Sequence, residues 1–275
     1  IPSGVTTNDW TTNINATVTT PVYDGVATQF ACIGWTGTGS VTNGSGTNTS
    51  FAITNNSTLT WLWTTNYLLT TAVTNGTLDV ASGFPGTNVT VTATPSNGYH
   101  FVEWTGTTNG CTISSNQITV VMDQPRTITA VCAINTYNII ASAGAGGTIT
   151  PAGTVVVTNG LSQIFSNTPN TGYHVADVIV DGGSVGPSNT YVFANVTNDH
   201  TISVSFAIDI FTITASAGAN GSISPTGVVP VAYGGSTNFT MTPTNYYHVA
   251  DVLVDSISVG ASNTYLFVNV TNNHT

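Results

Sequence analysis

The sequence contains no lysine, one arginine (Arg126) and one glutamate (Glu103), and only 4% of its 275 residues are charged. An average soluble protein carries about 25%. Each absence removes a class of function. Nucleic-acid binding needs a basic face that displaces counterions from phosphates, and a single arginine cannot supply one. Attraction to an anionic membrane surface fails for the same reason. Schiff-base chemistry has no amine to use. No run of about 18 apolar residues occurs, so no membrane-spanning helix is encoded. The three cysteines, Cys32, Cys111 and Cys132, are too few for a disulfide scaffold and lack C-x-x-C metal spacing. No segment carries 3.6-residue periodicity long enough for a helix. The chain opens at Ile1 without a charged region followed by an apolar stretch, as expected of a chain whose signal peptide has been removed or of a piece of a larger protein.

What remains is apolar and hydroxylic. Apolar residues make up 40% of the chain and the net charge is -10. Low charge with this much apolar content is the opposite of a disordered composition. Threonine, serine and asparagine keep the surface wet. The apolar residues alternate with them at period two: Ile202, Val204 and Phe206 with Ser203 and Ser205, and Val89, Val91 and Ala93 with Thr90, Thr92 and Thr94. Successive side chains of a strand point to opposite faces, so these are half-buried strands with an outward hydroxyl face. Asn75-Gly76, Asn97-Gly98, Asn109-Gly110, Asn159-Gly160, Asp181-Gly182 and Asn220-Gly221 punctuate them as turns. The expected fold is all-β with no substantial helix.

Internal repetition sets the architecture. Residues 137–206 and 211–275 align at an offset of 74: Tyr173-His174-Val175-Ala176-Asp177-Val178 with Tyr247-His248-Val249-Ala250-Asp251-Val252, and Asn195-Val196-Thr197-Asn198 with Asn269-Val270-Thr271-Asn272. Gly98-Tyr99-His100 lies 74 residues before Gly172-Tyr173-His174, and Trp35-Thr36-Gly37 lies 69 before Trp104-Thr105-Gly106. The expectation is a tandem array of about four small β-sheet modules: 1–65 with an N-terminal strand segment, 66–134, 135–208 and 209–275.

The run Gly98-Tyr99-His100-Phe101-Val102-Glu103-Trp104-Thr105-Gly106, then Met122-Asp123-Gln124-Pro125-Arg126-Thr127-Ile128-Thr129-Ala130, resembles the Listeria–Bacteroides, or internalin-type, B-repeats. The two C-terminal copies resemble the divergent branch of that family. The resemblance covers roughly residues 25–275. It implies spacer or adhesive modules in large secreted or surface-anchored prokaryotic proteins, and it carries no catalytic residues to transfer. Relatives usually contain lysine; this chain departs from them in having none.

The final strand of module three is Thr201–Ala207, with Ile202, Val204 and Phe206 inward. Its counterparts are Ile128, Ala130 and Cys132 in module two and Leu59, Trp61 and Trp63 in module one. In module four the sequence stops at His274-Thr275, the equivalents of His200-Thr201, so that strand is missing. The acceptor surface would include Tyr247, Val252, Val254, Tyr265 and Phe267. At the other end Ile14, Ala16 and Val18 alternate with Asn15, Thr17 and Thr19. Two readings are open. This segment donates a strand to module four of the next subunit, or it supplies module one's own first strand and the natural chain continues past Thr275. A non-closing head-to-tail contact gives a filament. Natural sheets protect exposed edges with lysine, and this chain has none.

Candidate chemistry is sparse. His100, His174 and His248 share one repeat position, and His200 and His274 another; recurrence with the scaffold points to half-buried tyrosine–histidine packing rather than to a catalytic or metal site. Glu103, Asp177 and Asp251 are one position, and Asp181 and Asp255 another, at a turn where aspartate bonds its own backbone. No cofactor is expected, with calcium at these aspartates the alternative. Catalytic motifs are absent, so no enzyme is expected. Of Trp10, Trp35, Trp61, Trp63 and Trp104, the inward Trp61 and Trp63 belong to the core, while Trp35 and Trp104 could stack sugars. A Cys111–Cys132 disulfide would lock a loop of module two. A simple hairpin about Gln124-Pro125 puts Cys132 opposite Gln117, so the bond needs an irregular strand; pairing with Cys32 is the alternative. Asn15, Asn88, Asn195, Asn238 and Asn269 head glycosylation sequons.

The sequence therefore predicts a secreted or cell-surface prokaryotic structural protein, a subunit of an extracellular filament, sheath or surface layer that partners with itself. The alternatives are a spacer in a large surface adhesin, meeting glycans or other surface proteins, and a carbohydrate-binding module.

Overall fold

A computed structural model describes residues 8–9 and 11–275; Trp10 lies outside them. The described residues form strands and no helix. They fall into two compact units, one ending at Asn135 and the other spanning Thr136–Thr275.

The first unit holds modules one and two. Module one contains β1 (Asn13–Thr17), β2 (Val22–Asp24), β3 (Thr28–Thr38), β4 (Asn48–Ala52) and β5 (Thr58–Tyr67). β1 pairs with β4, placing Ile14 opposite Phe51 and Ala16 opposite Thr49. β2, β3 and β5 form a second sheet. Module two contains β6 (Leu69–Val73), β7 (Gly76–Leu78), β8 (Val89–Pro95), β9 (Tyr99–Gly106), β10 (Thr112–Ser114), β11 (Gln117–Val120) and β12 (Arg126–Ile134). One sheet has the order β10-β11-β8-β7 and the other β6-β12-β9. The two sheets enclose Leu69, Val91, Ala93, Trp104, Ile118, Val120, Ile128 and Ala130.

The second unit holds modules three and four. Module three contains β13 (Thr136–Ala143), β14 (Gly147–Thr150), β15 (Gly153–Thr158), β16 (Gln163–Pro169), β17 (Tyr173–Val180), β18 (Gly183–Gly186), β19 (Thr190–Phe193) and β20 (His200–Ile208). Its main sheet runs β15-β13-β20-β17-β18, and β14-β16-β19 packs against it. Module four contains β21 (Ile210–Ala215), β22 (Gly221–Ser224), β23 (Gly227–Ala232), β24 (Thr237–Pro243), β25 (Val252–Val254), β26 (Ile257–Gly260) and β27 (Thr264–Phe267).

The inward parity read from the sequence holds on the last strand of modules two and three. Ile202 and Val204 are buried on β20, and Ile128, Ala130 and Cys132 on β12. Beside that strand the register breaks at a recurring place. Opposite β12 the register slips between Val131 and Cys132, opposite β20 between Val175 and Asp177, and in module one between Cys32 and Gly34. The unpaired residues are Val102, Ala176 and Ile33, which share one repeat position. A bulge adds one residue to one strand, so residues three apart can face the same way. Phe101 and Trp104 thereby meet, with ring centroids 5.5 Å apart, and Val175 and Val178 both enter the core.

The only arginine is part of this frame. Arg126 is 3% exposed. Its guanidinium and Nε donate to the carbonyls of Val121, Thr107 and Asn109, and Nη2 pairs with Asp123 at 2.7 Å. His200 and His274 stand at the matching positions in modules three and four. Arg126→Met leaves buried carbonyls unpaired and should cost about 3 kcal/mol, read as a lower denaturant midpoint for module two. Trypsin should leave the native chain intact at Arg126 and cut it only after unfolding; rapid native cleavage there would contradict the burial.

Candidate functional site: the open groove of module four

In module three the strand β20 lies between β13 and β17. It pairs in parallel with β13, Ile139 to His200 through Ala143 to Val204, and antiparallel with β17, Val180 to Ile202 and Val178 to Val204. It is the one strand that joins the two halves of the five-stranded sheet. Among the described residues no strand stands in that place in module four, and the strands of its main sheet form two separate pairs, β21-β23 and β25-β26. Tyr247–Asp251, the counterparts of Tyr173–Asp177, carry no strand pairing.

Between the two pairs lies a groove of about 600 Å³. Ile213 and Ala215 line one bank, Val252 and Val254 the other, with Phe239 and Met241 from β24 also in the lining. Five residues form the buried core here, Ile213, Ala215, Val231, Phe239 and Val270, against eleven in module three. Val178 is fully buried, but its counterpart Val252 is only half-buried. Seating three large apolar side chains in such a slot is worth about 1.5–3 kcal/mol each before ordering costs. Of the expected acceptor residues, Val252, Val254, Tyr265 and Phe267 line the groove; Tyr247 is exposed instead.

His274 and Thr275 stand where β20 begins in module three and make the same kind of backbone bonds. His274 N–H donates to Thr212 O at 2.9 Å, and Thr214 N–H donates to His274 O at 2.9 Å. Asp255 N–H donates to Thr275 O at 2.9 Å, as Asp181 N–H does to Thr201 O at 3.1 Å in the complete module. The expected strand donor is engaged elsewhere: Ile14 and Ala16 lie on β1, paired with β4 of their own module. Donation would require β1 to leave that ladder.

Several expectations are corrected by the geometry. Trp35 and Trp104 are 8% and 6% exposed and offer no face to a sugar. The Trp35 indole N–H donates to Thr42 O, and its ring lies so close to Gly44 that a Cβ there would collide with it. The Cys111–Cys132 disulfide does not form, and all three cysteines are free, Cys32 included. The hairpin register behind that expectation does not exist. β11 pairs with β8 and β12 with β9, so Gln117 faces Thr92 and Cys132 faces Phe101. The chain crosses between sheets at Gln124-Pro125 rather than folding back within one.

The histidines serve as staples. His100 and His174 are exposed, not half-buried, and His248 lines the groove. His100 Nδ1 meets Asn135 Oδ1 at 2.8 Å and His174 Nδ1 meets Asp209 Oδ1 at 2.7 Å. Asn135 and Asp209 sit where one module's last strand ends. His200 and His274 pair with Asp181 and Asp255, each at 2.7 Å. Asp181 and Gly182 both have positive φ, 50° and 81°, the geometry of a tight primed hairpin turn. The aspartate oxygens are taken by protein donors: Asp177 accepts from the Ser184 hydroxyl and Gly186 N–H, and Asp251 from the Ser258 hydroxyl. Among the described residues no three His, Cys, Asp or Glu side chains converge. Asn15, Asn88, Asn195, Asn238 and Asn269 are all exposed.

The Thr201 backbone N–H, followed by the His200 side chain, holds the Asp181 carboxyl below its ordinary 3.8. A carboxylate lowered in the folded state adds stability that is complete above that ordinary value and is lost as pH falls below it. Thermal unfolding of the wild type and Asp181→Asn should therefore differ near neutrality and converge as pH falls through the lowered folded-state value. An unchanged difference across that range would contradict the assignment.

A family model described as the divergent InlB B-repeat domain matches residues 66–136 and again 137–209. No curated protein matches the chain. Among solved structures, one titled "The Bacillus anthracis TIE protein" is similar at 10% identity and a TM-score of 0.35, over 90% of this chain and 56% of that one. The chain thus spans little more than half the length of that relative. With two tandem matches that together span more than half of its residues, the chain belongs to the divergent InlB B-repeat family.

Proposed function

We propose that the chain is a non-catalytic structural component of an extracellular filament, sheath or surface layer of a prokaryote, with copies of itself as its main partner. The observation that carries this reading is the repetition of one non-catalytic device. The same His–Asp staple closes the same turn in modules three and four, at His200–Asp181 and His274–Asp255. An active site occurs once per chain, whereas a scaffold element recurs with the scaffold. The hydroxyl-rich, charge-poor surface supports the reading too, because a charge of -10 spread over 275 residues is a weak barrier to self-association once salt screens it within about 8–10 Å. Membership in a repeat family rather than an enzyme family points the same way.

A spacer role in a larger surface adhesin is the second reading. It is favoured by the links at His100–Asn135 and His174–Asp209, which tie each last strand back to its own module and would suit a stalk under tension. Exposed sequon asparagines, including Asn195 and Asn269, are compatible with glycosylation in either role.

Electron microscopy of the purified chain separates the two. The structural-assembly reading expects ordered polymers that grow with protein concentration. Dispersed particles at every concentration would contradict it and leave the spacer reading.

A further inference from the structure

We propose that the free edge of β15 in module three is a self-association surface, at which two copies of the chain join their main sheets by pairing β15 with β15 in antiparallel fashion. The inference deepens the structural reading above by naming the edge through which copy meets copy, and it rests on that reading for its biological meaning.

Module three is described from its first strand to its last, so this edge is set by residues within the module. β15 ends the order β15-β13-β20-β17-β18, and among the described residues no strand pairs with its far side. At six residues it is the longest edge strand of the module; β14, β18 and β19 have four each. The register fixes where its backbone groups point. Asn138 stands opposite Val156, and the Asn138 N–H turns away from β15 to donate to Asp199 Oδ1 at 2.8 Å. Residues directly opposite in an antiparallel pair exchange both bonds or neither. The N–H and C=O of Val156 therefore point to the free edge, as do those of Thr154 and Thr158 at alternate places. Thr158 O already accepts from Leu161 N–H at 3.0 Å, which marks one end of the available ladder.

The other modules block the matching edge. Val156 aligns with Pro230 of β23, which faces Thr212 as Val156 faces Asn138. A proline fits a paired strand only where its nitrogen points away from the ladder, so the position is outward in both modules. In β23 the ring removes the donor that an incoming strand would need. In module two the matching residues 79–84 form no strand, and the Ser82 hydroxyl accepts from Thr71 N–H at 2.8 Å. Module three has neither device.

Charge and shape select a second copy as the occupant. No charged residue occurs from Thr127 to Ala176, a stretch that holds β13, β14, β15 and β16. A charged partner strand would find no counter-charge on these strands, whereas a second copy brings an equally neutral edge. Val156 is 64% exposed, and Thr154 and Thr158 flank it on the same face of the strand. Turning a second β15 antiparallel about Val156 sets valine against valine and threonine against threonine. Such cross-strand pairs stabilise a sheet, and no like charges oppose one another. The contact is isologous, so it closes at two copies, and growth into a polymer needs a further surface.

Analytical ultracentrifugation of the full chain tests this over a concentration series reaching about 1 mM, because contacts this small are weak and transient. A reversible rise in mass from 28.3 kDa toward twice that value is expected. Val156→Pro, which copies Pro230, should weaken dimerisation at least about tenfold by removing edge hydrogen bonds, while thermal unfolding stays close to wild type. Val156→Asp keeps the backbone donor and should weaken it as well, by setting like charges opposite each other. Amide exchange at Thr154 and Val156 should slow as concentration rises, while exchange at Val228 of β23 should not change. Monomers at every concentration would overturn the proposal. So would dimerisation undiminished in either variant, or exchange at Thr154 and Val156 that ignores concentration. Dimers without polymers in microscopy would keep this contact and remove the structural-assembly reading. Polymers whose β15 amides exchange as fast as in the monomer would do the reverse.

Discussion

A strand in the middle of a sheet must satisfy hydrogen-bonding groups on both of its edges, and modules two and three of this chain depend on one strand that does so. In module three that strand is β20, held between β13 and β17. It brings Ile202 and Val204 into the core and lets Val175 and Val178 be buried across from them. Within residues 209–275, where no such strand is described, the second sheet is kept, but the main-sheet strands form two separate pairs and Val252 is half-buried. Backbone pairing and apolar burial are lost together because one element supplies both.

The position that begins this strand shows how the repeat tolerates chemical change. Arg126, His200 and His274 are equivalent. Arg126 is buried and clamps three carbonyls. The histidines instead reach the turn aspartates. Each solution ties the start of the last strand to a neighbouring turn, and neither needs a second basic residue. The scarcity of charge is thus consistent with a scaffold whose polar contacts are made by hydroxyls, amides and backbone.

Much of this was legible in the residues. Period-two alternation places Ile202, Val204, Ile128 and Ala130 inward, and the 74-residue offset aligns modules three and four residue by residue. The bulge at Ile33, Val102 and Ala176 interrupts the alternation, and the three-residue spacing of Phe101 and Trp104 is its only signal in the sequence. Strict alternation puts Trp104 on the surface; the bulge is what turns that ring into the core beside Phe101. The Cys132–Gln117 register failed for another reason. Two strands joined by a short link suggest a hairpin, but β11 and β12 belong to different sheets, and adjacency in sequence does not distinguish a hairpin from a crossing. The sequence leaves two partners open for Ile14 and Ala16 because alternation reports a strand's face and not the strand beside it; the structure pairs them with β4.

The central claim is that the last strand is what consolidates the main sheet of modules two and three. Residue-resolved amide hydrogen exchange tests it within one polypeptide of residues 1–275, since within those residues the strand is described in module three and not in module four. The account predicts strong protection at Val178 and Val180 and exchange at least about 100-fold faster at Val252 and Val254, as expected where a central ladder is lost. Equal protection at the two pairs would contradict it.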